Sequence, residues 1–133
     1  MGVFVFDVPP TTAPVLEAAI ASVTDAPVTH MVYSHAHTEH IGGAKLFPTA
    51  EIYAHADAAA LIPFIDGEQP PMPAVTFDDR LKLAIGSLDI ALEYFGHNHD
   101  PGNIFITLPE APVLMVVDII EGGDVPWTAL NYT

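Results

Sequence analysis

No cysteine occurs among the 133 residues of the chain. Disulfide bonds and thiolate metal ligands are therefore excluded, and any bound metal ion must be held by nitrogen and oxygen atoms. Such ligands favour zinc, iron or manganese over ions that prefer sulfur. Basic residues are also scarce: Lys45, Arg80 and Lys82 stand against 17 Asp and Glu, for a net charge of −14. A nucleic-acid backbone needs many Lys or Arg contacts, so we expect no nucleic acid among the partners.

Long apolar runs are missing as well. None approaches the roughly 20 residues that a membrane-spanning helix requires. Residues 1–6 lack the basic residues and the length of a signal peptide. We therefore expect no membrane partner and a cytoplasmic location. A chain of 133 residues suits one core, so the sequence predicts a single domain over residues 1–133.

The first half of the chain alternates between predicted strands and helices. Residues 3–6 are apolar throughout and residues 28–33 are mostly apolar, which is typical of strands buried on both faces. Between them, Thr11 or Thr12 can cap a helix that stops at residues 25–27. Apolar residues recur at helical spacing along this helix: Val15, Leu16, Ala19, Ile20 and Val23.

The rest of the chain completes a layered α/β pattern. Residues 51–54 are predicted as a strand, 56–61 as a helix and 66–74 as a loop. Alternating apolar residues then predict two antiparallel pairs of strands: 81–85 with 88–94, and 104–108 with 113–117.

Three histidines and a glutamate follow the second predicted strand within six residues. Neutral imidazole and carboxylate groups are common ligands of divalent metals. Residues two apart in an extended chain point to the same side, so His35 and His37 can converge on one ion. Glu39 and His40 come next and can serve a second ion. The spacing and its position at a strand end therefore predict a metal site.

Two later segments supply further candidate ligands at strand ends. His99 lies between the two strand pairs, and Asp118 follows the last predicted strand. We assign His35, His37 and His99 to one ion, and Glu39, His40 and Asp118 to another. Asp118 can bridge both, because a carboxylate has two oxygen atoms. Two ions roughly 3.5–4 Å apart can hold and acidify a water molecule between them.

Four segments, in order, resemble the motifs of the metallo-β-lactamase superfamily. The run H-A-H-T-E-H-I-G-G at 35–43 resembles the signature H-x-H-x-D-H-x-G-G. The pair F-D at 6–7 resembles the strand that ends in a structural aspartate. The run G-H-N-H-D-P-G-N at 96–103 resembles the element that carries the third histidine, and V-V-D at 116–118 resembles the strand that ends in the bridging aspartate.

This resemblance implies an αβ/βα sandwich and metal-dependent hydrolysis of a small-molecule substrate with an ester, lactone, amide or β-lactam bond. The implied cofactor is zinc, one or two ions per chain, with iron or manganese also compatible. A metal-bound hydroxide would be the nucleophile, and Glu39 or Asp118 would orient it or accept its proton. The implied metal ligands are His35, His37, Glu39, His40, His99 and Asp118.

The sequence departs from the family pattern in ways that leave alternatives open. Glu39 stands where the family has aspartate, and no histidine follows Asp118. The family also begins with a hairpin before the strand at residues 3–6. The chain thus resembles the N-terminal half of such an enzyme, truncated at both ends. A non-catalytic metal-binding half-domain and an iron-dependent oxidoreductase on the same fold are the alternative functions.

A half-fold also raises an expectation about assembly. The strands at 3–6, 28–33 and 113–117 are apolar on both faces, so we expect one face to lack its cover. The missing C-terminal half or a second copy of the chain, in a homodimer, would cover it.

The remaining histidines are predicted to lie outside the metal site. His97 suits a surface or supporting position, whereas His55 and His30 suit structural positions. Asp7 is predicted to accept hydrogen bonds near the ligands rather than to bind the ion.

Overall fold

The predicted strands, together with one that was not predicted, form two four-stranded sheets in the computed structural model, which describes residues 2–120. The strands of the first sheet are β1 (Val3–Phe6), β2 (Val28–Val32), β3 (Glu51–His55) and β4 (Val75–Phe77). Those of the second are β5 (Arg80–Ile85), β6 (Leu88–Glu93), β7 (Phe105–Leu108) and β8 (Val113–Met115). The first sheet is parallel and the second antiparallel, each in chain order.

Three short α-helices connect the strands of the parallel sheet. They are α1 (Ala13–Val23), α2 (Thr38–Ile41) and α3 (Ala56–Leu61). Single 3₁₀ turns follow α2 and α3, at Ala44–Leu46 and Ile62–Phe64. The predicted layered α/β class is confirmed, with helices on one side of the parallel sheet and the antiparallel sheet on the other.

Helix α1 packs on the sheet through a narrower stripe than its sequence predicts. Leu16 and Ile20 contact the core, but Val15 and Val23 are exposed. Thr12 occupies the N-cap position, yet its hydroxyl donates to the carbonyl of Pro9 instead of capping the helix. The helix is therefore held by its packing and by the fixed φ of the proline in its first turn.

Two hydrophobic cores lie on the two faces of the parallel sheet. The first, which includes Met31 and Ile41, packs under the helices, and the second, which includes Val32 and Leu92, fills the space between the sheets. The expectation that the strands at 3–6 and 28–33 lack cover on one face is therefore wrong. Both faces of β1 and β2 are covered, because the antiparallel sheet packs on the side opposite the helices.

Strand β4 is an element that the sequence did not predict. It follows the proline-rich loop, is three residues long, and pairs in parallel with β3 from Val75 to Phe77. So short a run carries no alternation of its own, and its extended form depends on the neighbouring strand. The loop before it is fastened to the helical side, where the Tyr33 hydroxyl donates to the Pro71 carbonyl and Lys45 pairs with Glu68.

The strand directions gather the polar segments at one end of the sandwich. Parallel strands β1 and β2 both end there, followed by Asp7 and by Ser34. In the antiparallel sheet, β6 and β8 run in the same direction because both pair with β7. The segment at 96–103 and Asp118 therefore emerge at a common edge, beside the ends of β1 and β2. Among residues 2–120, no helix is long and apolar enough to cross a bilayer.

Gly102 provides a test of how tightly the third-histidine segment packs. Its φ is +78°, and an added Cβ would lie 2.4 Å from the backbone nitrogen of Ala58. Gly67 has a similar φ of +84° but open space around it. We expect Gly67→Ala to lower the free energy of unfolding by about 1 kcal/mol, and Gly102→Ala by at least about 2 kcal/mol. Denaturant titration measures both, and equal losses would contradict the packing argument.

Candidate metal centre

His35 lies three residues after the end of β2 and is completely buried, and a chain of hydrogen bonds fixes its ring. The Ser34 hydroxyl donates to Oδ2 of Asp7 at 2.6 Å, and the Ser34 backbone N–H donates to Oδ1 at 2.7 Å. With its own proton used on Asp7, the Ser34 oxygen accepts from Nδ1 of His35 at 2.8 Å. The proton of His35 is therefore on Nδ1, and the lone pair is on Nε2.

That lone pair lies next to the other candidate ligands. Nε2 of His35 is buried and has no hydrogen-bond partner among residues 2–120. Burial, together with the nearby rings of His37, His40 and His99, lowers the pKa of His35 to about 2. A buried polar atom without a partner costs about 1–3 kcal/mol, so such an atom calls for an explanation. A metal ion, which takes the lone pair of a neutral imidazole, provides one.

Three more side chains turn their ligand atoms toward the same space. His37, His99 and Asp118 join His35 in a group in which one ligand atom from each lies within 4.8 Å of the others. Nε2 of His99 is 3.4 Å from Nδ1 of His37 and 3.5 Å from Oδ2 of Asp118. Nε2 of His35 is 3.7 Å from the same Oδ2. Ligand atoms bound tetrahedrally to zinc lie roughly 3.3 Å apart, so this group fits such an ion.

The other two predicted ligands lie at the margin of this group. Nε2 of His40 is 3.0 Å from Oδ2 of Asp118, and its Nδ1 is 3.9 Å from Oδ2 of Asp7. Oε1 of Glu39 is 3.6 Å from Nδ1 of His37, and the glutamate side chain is 66% exposed. Within the part of the chain that the structure describes, Glu39 and His40 belong to no equally close group of three ligands. The assignment of a second ion to them stays a prediction.

Backbone contacts between the two sheets hold the ligands in place. The N–H of Ile104 donates to the carbonyl of Ser34 at 3.1 Å. The side chain of Asn103, which is completely buried, donates to the carbonyl of Val117 at 3.0 Å, one residue before Asp118. Asn103 belongs to the motif at 96–103, but neither Asn103 nor Ser34 was predicted to have a role. Their polar side chains next to ligands were the available signal.

The two aspartates that follow β1 and β8 share a rare backbone conformation. Asp7 has φ of +52° and Asp118 has φ of +60°, both in the left-handed region. Aspartate reaches this region more easily than most residues because its short side chain bonds locally. The turn sends the chain away from each sheet directly after the carboxylate.

The remaining histidines lie in supporting positions. His55 is buried, accepts from the backbone N–H of Asp57 and contacts the carbonyl of Asp78, so both its ring nitrogens have partners. His97 is exposed, with Nε2 3.7 Å from Asp57. His30 contacts the Thr29 hydroxyl through Nδ1. None of the three belongs to the four-residue group, within residues 2–120.

The burial of His35 predicts a pH dependence of stability in the metal-free protein. Its pKa is about 2 when folded against an ordinary 6.5, so only the unfolded chain takes up a proton between these values. The buried neutral His35 therefore costs no stability above pH 6.5, and it lowers the free energy of unfolding progressively as the pH falls toward 2. As the pH is lowered through this range, we expect the free energy of unfolding of wild type to fall by up to about 1.4 kcal/mol per pH unit more than that of His35→Asn. Denaturant titrations with chelator measure this difference, and a pH-independent value would contradict it.

Comparisons with known proteins agree with this geometry. A family model described as the metallo-beta-lactamase superfamily matches residues 2–132. The alpha subunit of 2,4-dinitroanisole O-demethylase from Nocardioides sp. (strain JS1661) is 31% identical over 100 residues, 73% of this chain and 30% of that protein. Metallo-beta-lactamase type 2 from Bacillus cereus is 31% identical over 88 residues, 65% of this chain and 34% of that protein.

A solved structure shows the same fold over most of the chain. The crystal structure of the metallo-beta-lactamase IND-7 matches with a TM-score of 0.80 at 21% identity, over 93% of this chain and 57% of that one. This chain spans about a third of the length of the two curated relatives. The family match covers nearly all of the sequence, and the chain belongs to the metallo-beta-lactamase superfamily.

Proposed function

We propose that the chain is a metal-dependent hydrolase that acts on an ester, lactone, amide or β-lactam bond of a small molecule. The observation that supports this most is the buried Nε2 of His35, which has no hydrogen-bond partner and lies 3.7 Å from Asp118. An ion held there, zinc by the nitrogen and oxygen chemistry of its ligands, would polarise a carbonyl group and acidify water.

The residues around the proposed ion either bind it or accept a proton. His35, His37 and His99 are the proposed ligands of the tighter ion. His40, 3.0 Å from Oδ2 of Asp118, restrains that carboxylate at the edge of the three histidines. A catalytic zinc site keeps one ligand position open for water or substrate. Because His40 holds the Asp118 carboxylate, we propose that Asp118 leaves this fourth position open.

Glu39 is the proposed proton acceptor together with Asp118. Its carboxylate is exposed and 3.6 Å from His37, so it can reach a water molecule at the mouth of the site. The side chain is one methylene longer than the family's aspartate, and this extra length weakens a second ion held there. We therefore expect one tightly bound ion per chain, and a second that binds more weakly.

A specific observation also supports a second function, non-catalytic metal binding. Asp118 belongs to the same close group as the three histidines, and four protein ligands can close a tetrahedral zinc site. A closed site stabilises the fold without hydrolysis. An iron-dependent oxidoreductase on the same fold is the remaining alternative.

Metal analysis combined with a substrate panel tests these functions. We expect the purified chain to retain about one zinc ion and to hydrolyse an activated ester, a lactone or a β-lactam. A chelator should abolish the activity, and zinc should restore it. Bound zinc without turnover of any substrate would favour the non-catalytic function. Retained iron with oxygen consumption would favour the oxidoreductase, and a chain that binds no metal would contradict all three.

Two histidines of one segment give a matched pair for the ligand assignment. His99 is buried against His37, whereas His97 is exposed and two residues away. We expect His99→Ala to abolish tight zinc binding and hydrolysis, and His97→Ala to change zinc affinity by at most the roughly 10–100-fold typical of outer groups. Competition with a chromogenic chelator measures both. Zinc lost in His97→Ala but kept in His99→Ala would reverse the assignment.

A further inference from the structure

Asp100 is a buried carboxylate beside the third histidine, and the mechanism above gives it no role. Only 10% of its side chain is exposed. Oδ2 accepts from the backbone N–H of Ala36 at 3.3 Å, and Oδ1 lies 3.8 Å from Nε2 of His37. The carboxylate therefore reaches across from the segment after β6 to the chain between His35 and His37.

From residues 2–120, this carboxylate accepts one long hydrogen bond, at Oδ2, and little of its side chain is in contact with water. Carboxylates in such surroundings need further hydrogen bonds or a positive partner to offset the loss of water. Nε2 of His37 is a ring nitrogen that can supply one. At 3.8 Å it is too far for a hydrogen bond, but a side-chain shift of roughly 1 Å would bring it to an ordinary N–H to carboxylate distance.

Two carboxylates flank the ring of His37: Asp100 lies near Nε2 with 10% of its side chain exposed, and Glu39 lies near Nδ1 with 66% of its side chain exposed. Water screens the exposed charge of Glu39 more strongly, so we expect the buried charge of Asp100 to have the larger effect on which nitrogen carries the proton. A neutral imidazole has one N–H, and a carboxylate near Nε2 favours the form with the proton on Nε2. The lone pair is then on Nδ1, the atom that lies 3.4 Å from Nε2 of His99 inside the candidate metal group. The opposite form would direct an N–H into that group and block a ligand position.

We infer that Asp100 is a positioning residue that keeps the proton of His37 on Nε2 and so presents Nδ1 to the metal ion. The inference rests on the proposed metal site. His35 is fixed by a different route, through Ser34 and Asp7 from the end of β1. The two histidines of the H-x-H pair thus take their orientation from carboxylates of two different sheets.

Asp100→Asn tests the inference, with Asp57→Asn as its matched control. Asparagine keeps an oxygen that can accept from Ala36 but loses the charge that attracts the N–H of His37. Asp57 also lies near a histidine, 3.7 Å from Nε2 of His97, but outside the metal group. We expect Asp100→Asn to weaken Zn²⁺ binding about 10–100-fold in chelator competition, and Asp57→Asn to leave it unchanged.

A second measurement separates positioning from a merely structural role. In the metal-free, ¹⁵N-histidine-labelled protein, long-range ¹H–¹⁵N spectra report which ring nitrogen of His37 is protonated. We expect Nε2–H in wild type and in Asp57→Asn, and a mixture of the two forms in Asp100→Asn. If Asp100→Asn only lowers the unfolding midpoint, and the same nitrogen of His37 stays protonated, the inference is overturned.

The outcomes for the inference and for the proposed function can be told apart. Equal Zn²⁺ affinity of wild type and Asp100→Asn would overturn the inference and leave the metal site intact. A wild type that binds no Zn²⁺ would overturn the proposed function. In that case the ring form of His37 still decides the inference, and a proton on Nδ1 in wild type would overturn it.

Discussion

The arrangement depends on one buried imidazole whose lone pair has no hydrogen-bond partner in the part of the chain that the structure describes. His35 has no contact with water, and its proton is used on Ser34. Its Nε2 is therefore an acceptor held at a fixed point, at the meeting place of two sheets. Protonation there would place a charge among three other histidines, which is why burial and their proximity lower its pKa so far. The buried neutral imidazole presents a lone pair that resists protonation, so it is better suited to bind a metal cation than a proton.

The two sheets contribute to this point in different ways. The parallel sheet supplies the H-x-H pair and Asp7, through the shared direction of β1 and β2. The antiparallel sheet supplies His99 and Asp118, through the shared direction of β6 and β8. Backbone hydrogen bonds, such as that from Ile104 to Ser34, join the two contributions. The separations between ligand atoms thus depend on how the sheets pack, and the second core between them belongs to the site as much as the ligands do.

Much of this could be predicted from the sequence, where the signal was local. The apolar runs placed β1 and β2 correctly because continuous apolar stretches mark strands covered on both faces. The spacing of His35 and His37 indicated a metal site from the geometry of an extended chain. In the structure β2 ends at Val32 and residues 34–36 form a bend, so the two side chains converge through that bend instead. The membership of Asp118 in the histidine group depends on long-range packing.

What the sequence could not provide was the identity of each neighbour in space. It marked β1 and β2 as apolar on two sides, but it carried no information on which strands would pack against them. The error about an uncovered face arose from that gap. The proximity of Asp100 to His37 was hidden for the same reason, since the two residues lie in distant segments of the chain. Apolar side chains of the outer antiparallel face, such as Leu114, are exposed instead.

The left-handed turns at Asp7 and Asp118 restrict how the site can evolve. Asparagine and glycine share the tolerance of aspartate for this backbone, whereas most other residues would strain it. Asparagine preserves the shape and removes the charge, whereas glycine removes the whole side chain. At Asp118, a candidate ligand, the backbone therefore accepts substitutions that remove the carboxylate more readily than substitutions to bulkier ligands. At Asp7, which accepts hydrogen bonds from Ser34, the same substitutions would instead weaken the support of His35.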